Sequence, residues 1–156
     1  MSLAKGYYNE PELYAKTIDD QGWLYTGDLG VMDAQGNLKF AGRIKELIIS
    51  GGMNIDPMEI ENFIMQHPAV ESAHIVGLPD QRMGELVGAF IKLRKDATLT
   101  ADEIRALCEG KIGKYKIPKY IQFIDEVPRN AVGKVQKFKI REMGIKEFHL
   151  DSVAHG

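Results

Sequence analysis

The apolar positions of the chain change character near Leu47. Ahead of it they are sparse. Trp23-Leu24-Tyr25 reads as a strand, and short runs at 29–32 and 38–41 flank the polar Asp33-Ala34-Gln35-Gly36-Asn37, a pattern that predicts a hairpin. Gly6-Tyr7-Tyr8-Asn9 and Asp19-Asp20-Gln21-Gly22 have the composition of turns. A two-stranded hairpin is marginal in water, so residues 1–43 are expected to lean on other protein rather than bury a core. From Leu47 the order becomes strand, helix, strand, strand, helix, strand. Leu47-Ile48-Ile49 is an apolar run ending at Ser50-Gly51-Gly52. Asp56-Pro57-Met58-Glu59 starts a helix, with Asp as N-cap, Pro at the first helical position and Glu three residues on. Ile60, Phe63 and Ile64 then share one face, and Pro68 limits the helix. Residues 70–78 and 86–93 read as strands separated by Pro79-Asp80 and Gly84. Thr100-Ala101-Asp102-Glu103 is a second capping box, followed by the apolar stripe Ile104, Leu107, Cys108 and Ile112. A strand at 120–124 and a helix from about Lys137 through Ile140 to about Phe148 complete the pattern.

The fold class expected is α+β. A small domain at 47–150, with a short sheet flanked by helices, follows a strand-rich segment at 1–43 and a connection at 44–46; residues 151–156 are a tail. The 156-residue chain has no run of eighteen apolar residues, so no membrane span is expected. Its first residues lack the apolar region of a signal peptide, and Met1-Ser2-Leu3 has the look of an expression-vector leader. A lone Cys108 forbids an internal disulfide, and the four histidines are scattered, which fits a reducing, cytoplasmic setting without structural zinc. Net charge is −2, unevenly spread: residues 1–110 carry 10 Lys/Arg against 17 Asp/Glu, whereas 111–141 carry 9 against 2. Such a basic block fits a polyanion (a nucleotide, CoA or nucleic acid) as well as it fits a solvated surface.

Four segments bear candidate chemistry, each with a plainer reading beside it. In Tyr25-Thr26-Gly27-Asp28 the aspartate is able to accept hydrogen bonds from two vicinal hydroxyls, or only to satisfy its own turn. In the string from Gly42-Arg43 through Lys45 and Ser50-Gly51-Gly52 to Glu59-Ile60-Glu61, Arg43 offers a guanidinium fork to hydroxyls or phosphate. Its paired glycines let backbone approach a ligand closely; a surface arginine and an ordinary turn are the plain alternative. In Pro128-Arg129-Asn130-Ala131-Val132-Gly133-Lys134 a lysine on a glycine-containing loop is placed to neutralise charge building on a phosphate, or is one more lysine beside Lys137 and Lys139. The spacing is not that of a Walker A loop, since Val135 stands where Ser or Thr is required. In 113–120, Tyr115 and Tyr120 alternate with Lys114, Lys116 and Lys119, which suits a base with phosphates or a loop leading into a strand.

In order and spacing, Gly6-Tyr7 with Thr17, the 25–28 turn, the 42–61 string and the 128–134 loop resemble the C-terminal part of the adenylate-forming superfamily. That superfamily comprises acyl- and aryl-CoA synthetases, luciferases and the adenylation domains of peptide synthetases. The likeness runs from Gly6 to about Glu142, and Ser50-Gly51-Gly52-Met53-Asn54-Ile55 with Pro57 ahead of Glu59-Ile60-Glu61 is similar to medium- and long-chain fatty acyl-CoA synthetases. By position, the resemblance implies that Lys134 is the adenylation lysine and that Asp28 and Arg43 contact the ribose and phosphate of ATP. It also implies that Lys45 is the hinge and that Gly51 and Gly52 line the pantetheine tunnel. Tyr115, Lys116 and Lys119 become candidates for the nucleotide end of CoA.

The implied reaction joins a carboxylic acid to CoA through acyl-AMP, using ATP and Mg²⁺, with the small domain rotating between half-reactions. The chain shows no phosphate loop with a lysine and no Tyr-Gly-x-Thr-Glu segment. In the family these lie upstream in a large N-terminal domain, with the acyl pocket and the Mg²⁺ ligands. That domain is the expected partner, and the chain by itself is expected to have little or no ligase activity. Two alternatives stand beside this reading. One passes the acyl group to a carrier protein; the other is a non-enzymatic nucleic-acid-binding module with Tyr115 and Tyr120 as stacking platforms, whereas the leading reading requires no nucleic acid.

Overall fold

The computed structural model describes residues 6–154; Met1-Ser2-Leu3 and the end of the tail, 155–156, lie outside the described residues. The chain forms two compact units, Met1–Lys45 and Glu46–Gly156. In the first, a one-turn helix α1 (Pro11–Ala15) precedes an antiparallel pair, β1 (Asp28–Met32) and β2 (Leu38–Arg43). The turn between the strands is organised by Asp33, whose carboxylate accepts the N–H groups of Gln35 and Asn37 and the Asn37 side-chain amide. The Asn37 side-chain bond, first among these, holds the Asp33 carboxyl below its usual range. Among the described residues of this unit only Gly42 is buried, so the hairpin has no core.

Two features of this unit depart from expectation. Residues 11–15 are helical, started by Pro11. Trp23-Leu24-Tyr25 is not a strand: only Leu24 bridges, to Ile18. The Asp19 carboxylate takes the N–H groups of Gln21 and Trp23, winding the segment into a turn.

The second unit is built on a five-stranded sheet of β3 (Ile48–Ser50), β4 (Met53–Ile55), β5 (Val70–Asp80), β6 (Gly84–Leu93) and β7 (Tyr120–Phe123). Strand β6 is central. It pairs antiparallel with β5 along its whole length, parallel with β7, and with β3 through Ser50 and Gly84. Helices α2 (Pro57–Ile64) and α3 (Ala101–Cys108) cover one face. There Ile60, Ile64, Ile104 and Cys108 pack on Ile75, Ala89 and Ile91. Helix α4 (Lys137–Glu147) covers the other face through Ile140, which meets Val76, Leu78 and Phe90. Covering both faces explains why 75–79 and 87–91 read as unbroken apolar runs rather than alternating ones. A last turn, α5 (Asp151–Ala154), follows.

Local signals for this unit are mostly realised. Asp56 accepts the Met58 N–H, and Thr100 and Glu103 close their box in both directions. Glu59 does not complete the first box; its carboxylate turns outward to Lys116 at 2.6 Å. Strand β4 is absent from the pattern read in the sequence, because its Met53 and Asn54 are exposed and only Ile55 enters the core. Among the described residues no helix is long and apolar enough to cross a membrane.

Candidate functional site

The 128–136 segment is a tight hairpin loop held by its own polar groups. Arg129 and Val135 form a bridge, and the Gln136 N–H donates to the Pro128 carbonyl at 2.9 Å. Asn130 is the hub. Its Oδ1 accepts the Lys134 N–H at 2.8 Å and the Val132 N–H at 3.2 Å, while its backbone exchanges bonds with Lys134 and Gly133. The Arg129 guanidinium donates to the Gly133 carbonyl at 2.8 Å. Gly133 has φ +83°, a left-handed conformation that a side chain would strain. The loop therefore presents Lys134 on a rigid base, and Lys134 is exposed with no acidic partner among the described residues.

In this Lys134 differs from Lys116, Lys137 and Arg141. Lys116 pairs with Glu59, Lys137 with Glu46 and Glu61, and Arg141 with Glu85 at 3.1 Å. Three of the nine cations of the 111–141 block are thus neutralised within the fold. The Glu59 hydrogen bond is also the main cause that raises the Lys116 ammonium above its ordinary pKa.

A second feature is the turn joining β3 and β4. Gly51 and Gly52 have φ of +55° and +81°. A Cβ on Gly51 would strike the Met83 methyl, whereas Gly52 faces open space. The Gly51 N–H donates to the Met83 carbonyl at 2.8 Å. Ser50 and Met83 also line an open groove of about 710 Å³, with Tyr115 on its wall and Lys114, Lys119 and Arg105 set against Glu109. The glycine turn and the groove are therefore neighbours. Of the three residues proposed for a CoA nucleotide, Tyr115 and Lys119 reach this groove; Lys116 is held at Glu59 instead. Tyr120 is no stacking platform, because its ring packs on Phe148 at 4.9 Å in the α4 layer.

In the first unit, Asp28 and Arg43 stand opposite each other. Arg43 Nε lies 3.1 Å from Asp28 Oδ1, with both side chains partly exposed. A bulge makes this so. Gly30 pairs with Phe40, but Leu29 pairs with Gly42, leaving Ala41 as the extra residue and moving Arg43 into line with Asp28. The Asp28 N–H also donates to Thr26 Oγ1 at 3.1 Å, so the 25–28 turn aims the carboxylate. Lys45 sits in a 3₁₀ turn over Ile44–Glu46, and the boundary between the units follows it.

Sequence reasoning passed over several contributors. Asn130 carries the loop, and Glu85 links Arg141 to the Ile49 N–H at 3.1 Å. His74, aligned across Phe90 with Gln122, is pushed down to about 4, by burial first and then by the charges of Lys137 and Arg129. Its Nε2 and the Gln122 Oε1 are buried without hydrogen-bond partners. None of these has a signature in a single sequence beyond the Asn-x-x-Gly turn. Among the described residues no group of three or more His, Cys, Asp or Glu side chains is arranged to hold a metal ion.

Residues 59–134 match the family described as the AMP-binding enzyme C-terminal domain. The chain is 48% identical over 148 residues to the mitochondrial medium-chain acyl-CoA ligase ACSF2 of Mus musculus, covering 95% of this chain and 24% of that protein. ATP-bound MatB from Rhodopseudomonas palustris superposes with a TM-score of 0.84 at 38% identity, over 92% of this chain and 28% of that one. The o-succinylbenzoate-CoA synthetase MenE of Bacillus subtilis, in complex with its acyl-adenylate intermediate, gives 0.81 at 37% identity, over 88% and 28%. The chain thus spans about a quarter of the length of the relatives it matches.

Proposed function

We propose that the chain, whose residues 59–134 match the AMP-binding enzyme C-terminal domain, is the C-terminal part of an ATP-dependent acyl-CoA synthetase acting on a medium- or long-chain fatty acid. The observation that carries the proposal is the Lys134 ammonium, exposed and without an acidic partner among the described residues, on a loop locked by Asn130. In the first half-reaction a carboxylate oxygen attacks the α-phosphate of ATP, forming acyl-AMP and releasing pyrophosphate. Negative charge accumulates on the phosphorus oxygens, and a rigidly presented cation stabilises that charge more than it stabilises the ground state. Lys134 takes this role. Asp28 accepts hydrogen bonds from the ribose hydroxyls, and Arg43, pointed by its pairing with Asp28, contacts ribose and phosphate.

In the second half-reaction the CoA thiol attacks the acyl carbonyl and AMP leaves. Rotation about Lys45 withdraws Lys134 from the large domain of the parent enzyme and brings forward the Gly51-Gly52 turn, where pantetheine passes close to backbone. Tyr115 and Lys119 in the adjoining groove receive the nucleotide end of CoA. Lys116 is given no such contact, since its charge is already neutralised by Glu59. The surplus of Lys114 and Lys119 over Glu109, with Arg105 already paired to Asp102, favours free CoA over a carrier protein as acceptor. ACSF2, a medium-chain acyl-CoA ligase, supports the acid class. Mg²⁺ and the adenine and acyl pockets are assigned to the large domain, the partner of this chain, and the cytoplasm is the proposed setting.

The test is Lys134→Ala in the full-length enzyme. Acyl-AMP formation should fall by about 100-fold or more, while thioester formation from supplied acyl-AMP continues. Equal loss in both steps, or no loss in the first, refutes the assignment.

A further inference from the structure

Lys137 is the cation that composition gives no reason to single out. It is the first residue of α4, three positions after Lys134. Its ammonium lies 2.9 Å from Glu61 Oε1 and 3.1 Å from Glu46 Oε2, and its side chain and that of Glu61 are only 25% and 14% exposed. Glu61 is itself fixed, because the same Oε1 accepts the Ile75 N–H of strand β5 at 2.8 Å. The network joins three stretches distant in sequence: the residue after Lys45, the middle of α2 and the start of α4.

Helix α4 needs such a tie. Its N-cap residue Gln136 makes no side-chain cap bond, its first turn contains no acidic residue, and Lys137 and Lys139 both place positive charge at the positive end of the helix dipole. Glu46 and Glu61 bring in the negative charge that the helix start lacks. The 128–136 loop is closed on itself by Asn130, the Arg129–Val135 bridge and the bond from Gln136 to Pro128. A closed loop moves as one piece, so its direction is set by whatever holds its stem.

We propose that Lys137 is a positioning residue, which by clamping the first turn of α4 to Glu46 and Glu61 fixes the direction in which the 128–134 loop presents Lys134. The inference rests on the reading of Lys134 as the adenylation lysine. The thioester step uses the opposite part of the domain, around Gly51 and Gly52, and does not depend on the clamp.

The test uses Lys137→Gln, Lys137→Arg, Glu61→Gln and Lys134→Ala in the full-length enzyme, with acyl-AMP formation and thioester formation from supplied acyl-AMP measured separately. Misplacement of a reacting group by about 1 Å costs on the order of 100-fold, so Lys137→Gln should lower kcat for acyl-AMP formation by about 10- to 100-fold. The KM for ATP and the thioester step should stay within about twofold. Lys137→Arg, which keeps charge and donors, should restore most of the rate. Glu61→Gln still accepts the Ile75 N–H but loses its charge, so it should show the same split to a smaller degree. That variant decides the matter if Lys137→Gln fails to fold. An unchanged first step, equal loss in both steps, or an arginine no better than glutamine overturns the role of Lys137. A Lys134→Ala variant that leaves acyl-AMP formation intact overturns instead the reading beneath it.

Discussion

Gly144→Ala measures how closely α4 sits on the sheet. Gly144 is buried on the inner side of the helix, and a methyl group there would stand 2.6 Å from Phe90 Cζ and 2.8 Å from Leu78 Cδ2. Ordinary carbon contacts lie at about 3.5–4.0 Å, so the overlap is about 1 Å with each of two side chains that are themselves fully buried. Two effects compete. Alanine in a helix interior is worth about 1 kcal/mol over glycine, while an extra methyl in a filled core costs about 1–3 kcal/mol. Phe90 and Leu78 come from different strands and close on the site together, which puts the cost in the upper half of that range. The net loss is then about 1–2 kcal/mol. In a domain of about 100 residues this lowers Tm by about 5–10 °C, read by far-ultraviolet circular dichroism on the purified chain. In a Phe90→Leu background, which removes the ring tip, the loss from Gly144→Ala should shrink. Equal losses in both backgrounds, or a stabilised Gly144→Ala, refute the tight crossing.

Two further outcomes are expected. The folded-state value of His74, about 4, is below the ordinary 6.5, so the unfolded chain binds more protons between those limits. Stability should be whole above about pH 6.5 and decline as pH falls toward 4, by about 1–2 kcal/mol because solvent screens part of the effect. His74→Leu should flatten that decline in an acid titration of Tm, and an unchanged decline counts against burial as the cause. Glu85→Ala removes the acceptor for the Ile49 N–H and the partner of Arg141, costing about 1–2 kcal/mol. In the full-length enzyme it should slow thioester formation more than acyl-AMP formation, since β3 leads directly into the Gly51-Gly52 turn. A Glu85→Ala enzyme with an undiminished thioester step sinks that expectation.

What the sequence makes legible here is what is locally encoded. Asp56-Pro57 and Thr100-Glu103 announce their helices within four residues, and the 33–37 turn announces its hairpin. Strand β4 and helix α1 escape because they are three and five residues long and bury almost nothing. The candidate residues were nameable one by one, but their partners were not. Whether Lys116, Lys134 or Lys137 is a free cation depends on where Glu46, Glu59 and Glu61 come to rest, 57 residues away in the case of Glu59 and Lys116. A lysine-rich stretch looks uniform until tertiary contacts neutralise some of its members. Glu59 is instructive: its position satisfied a helix-start rule, and a cation across the fold drew it away.

The extra residue at Ala41 gives the first unit a reading frame of its own. Along a ribbon in which neighbours face opposite ways, parity decides which groups can meet. Any side chain there is exchangeable at a local cost. Were Ala41 taken into the ladder instead of bulged out of it, Gly42 would stand across from the Asp28 carboxylate and the guanidinium of Arg43 would turn to the far side. Insertions are tolerable at the 33–37 tip and ruinous between 38 and 43.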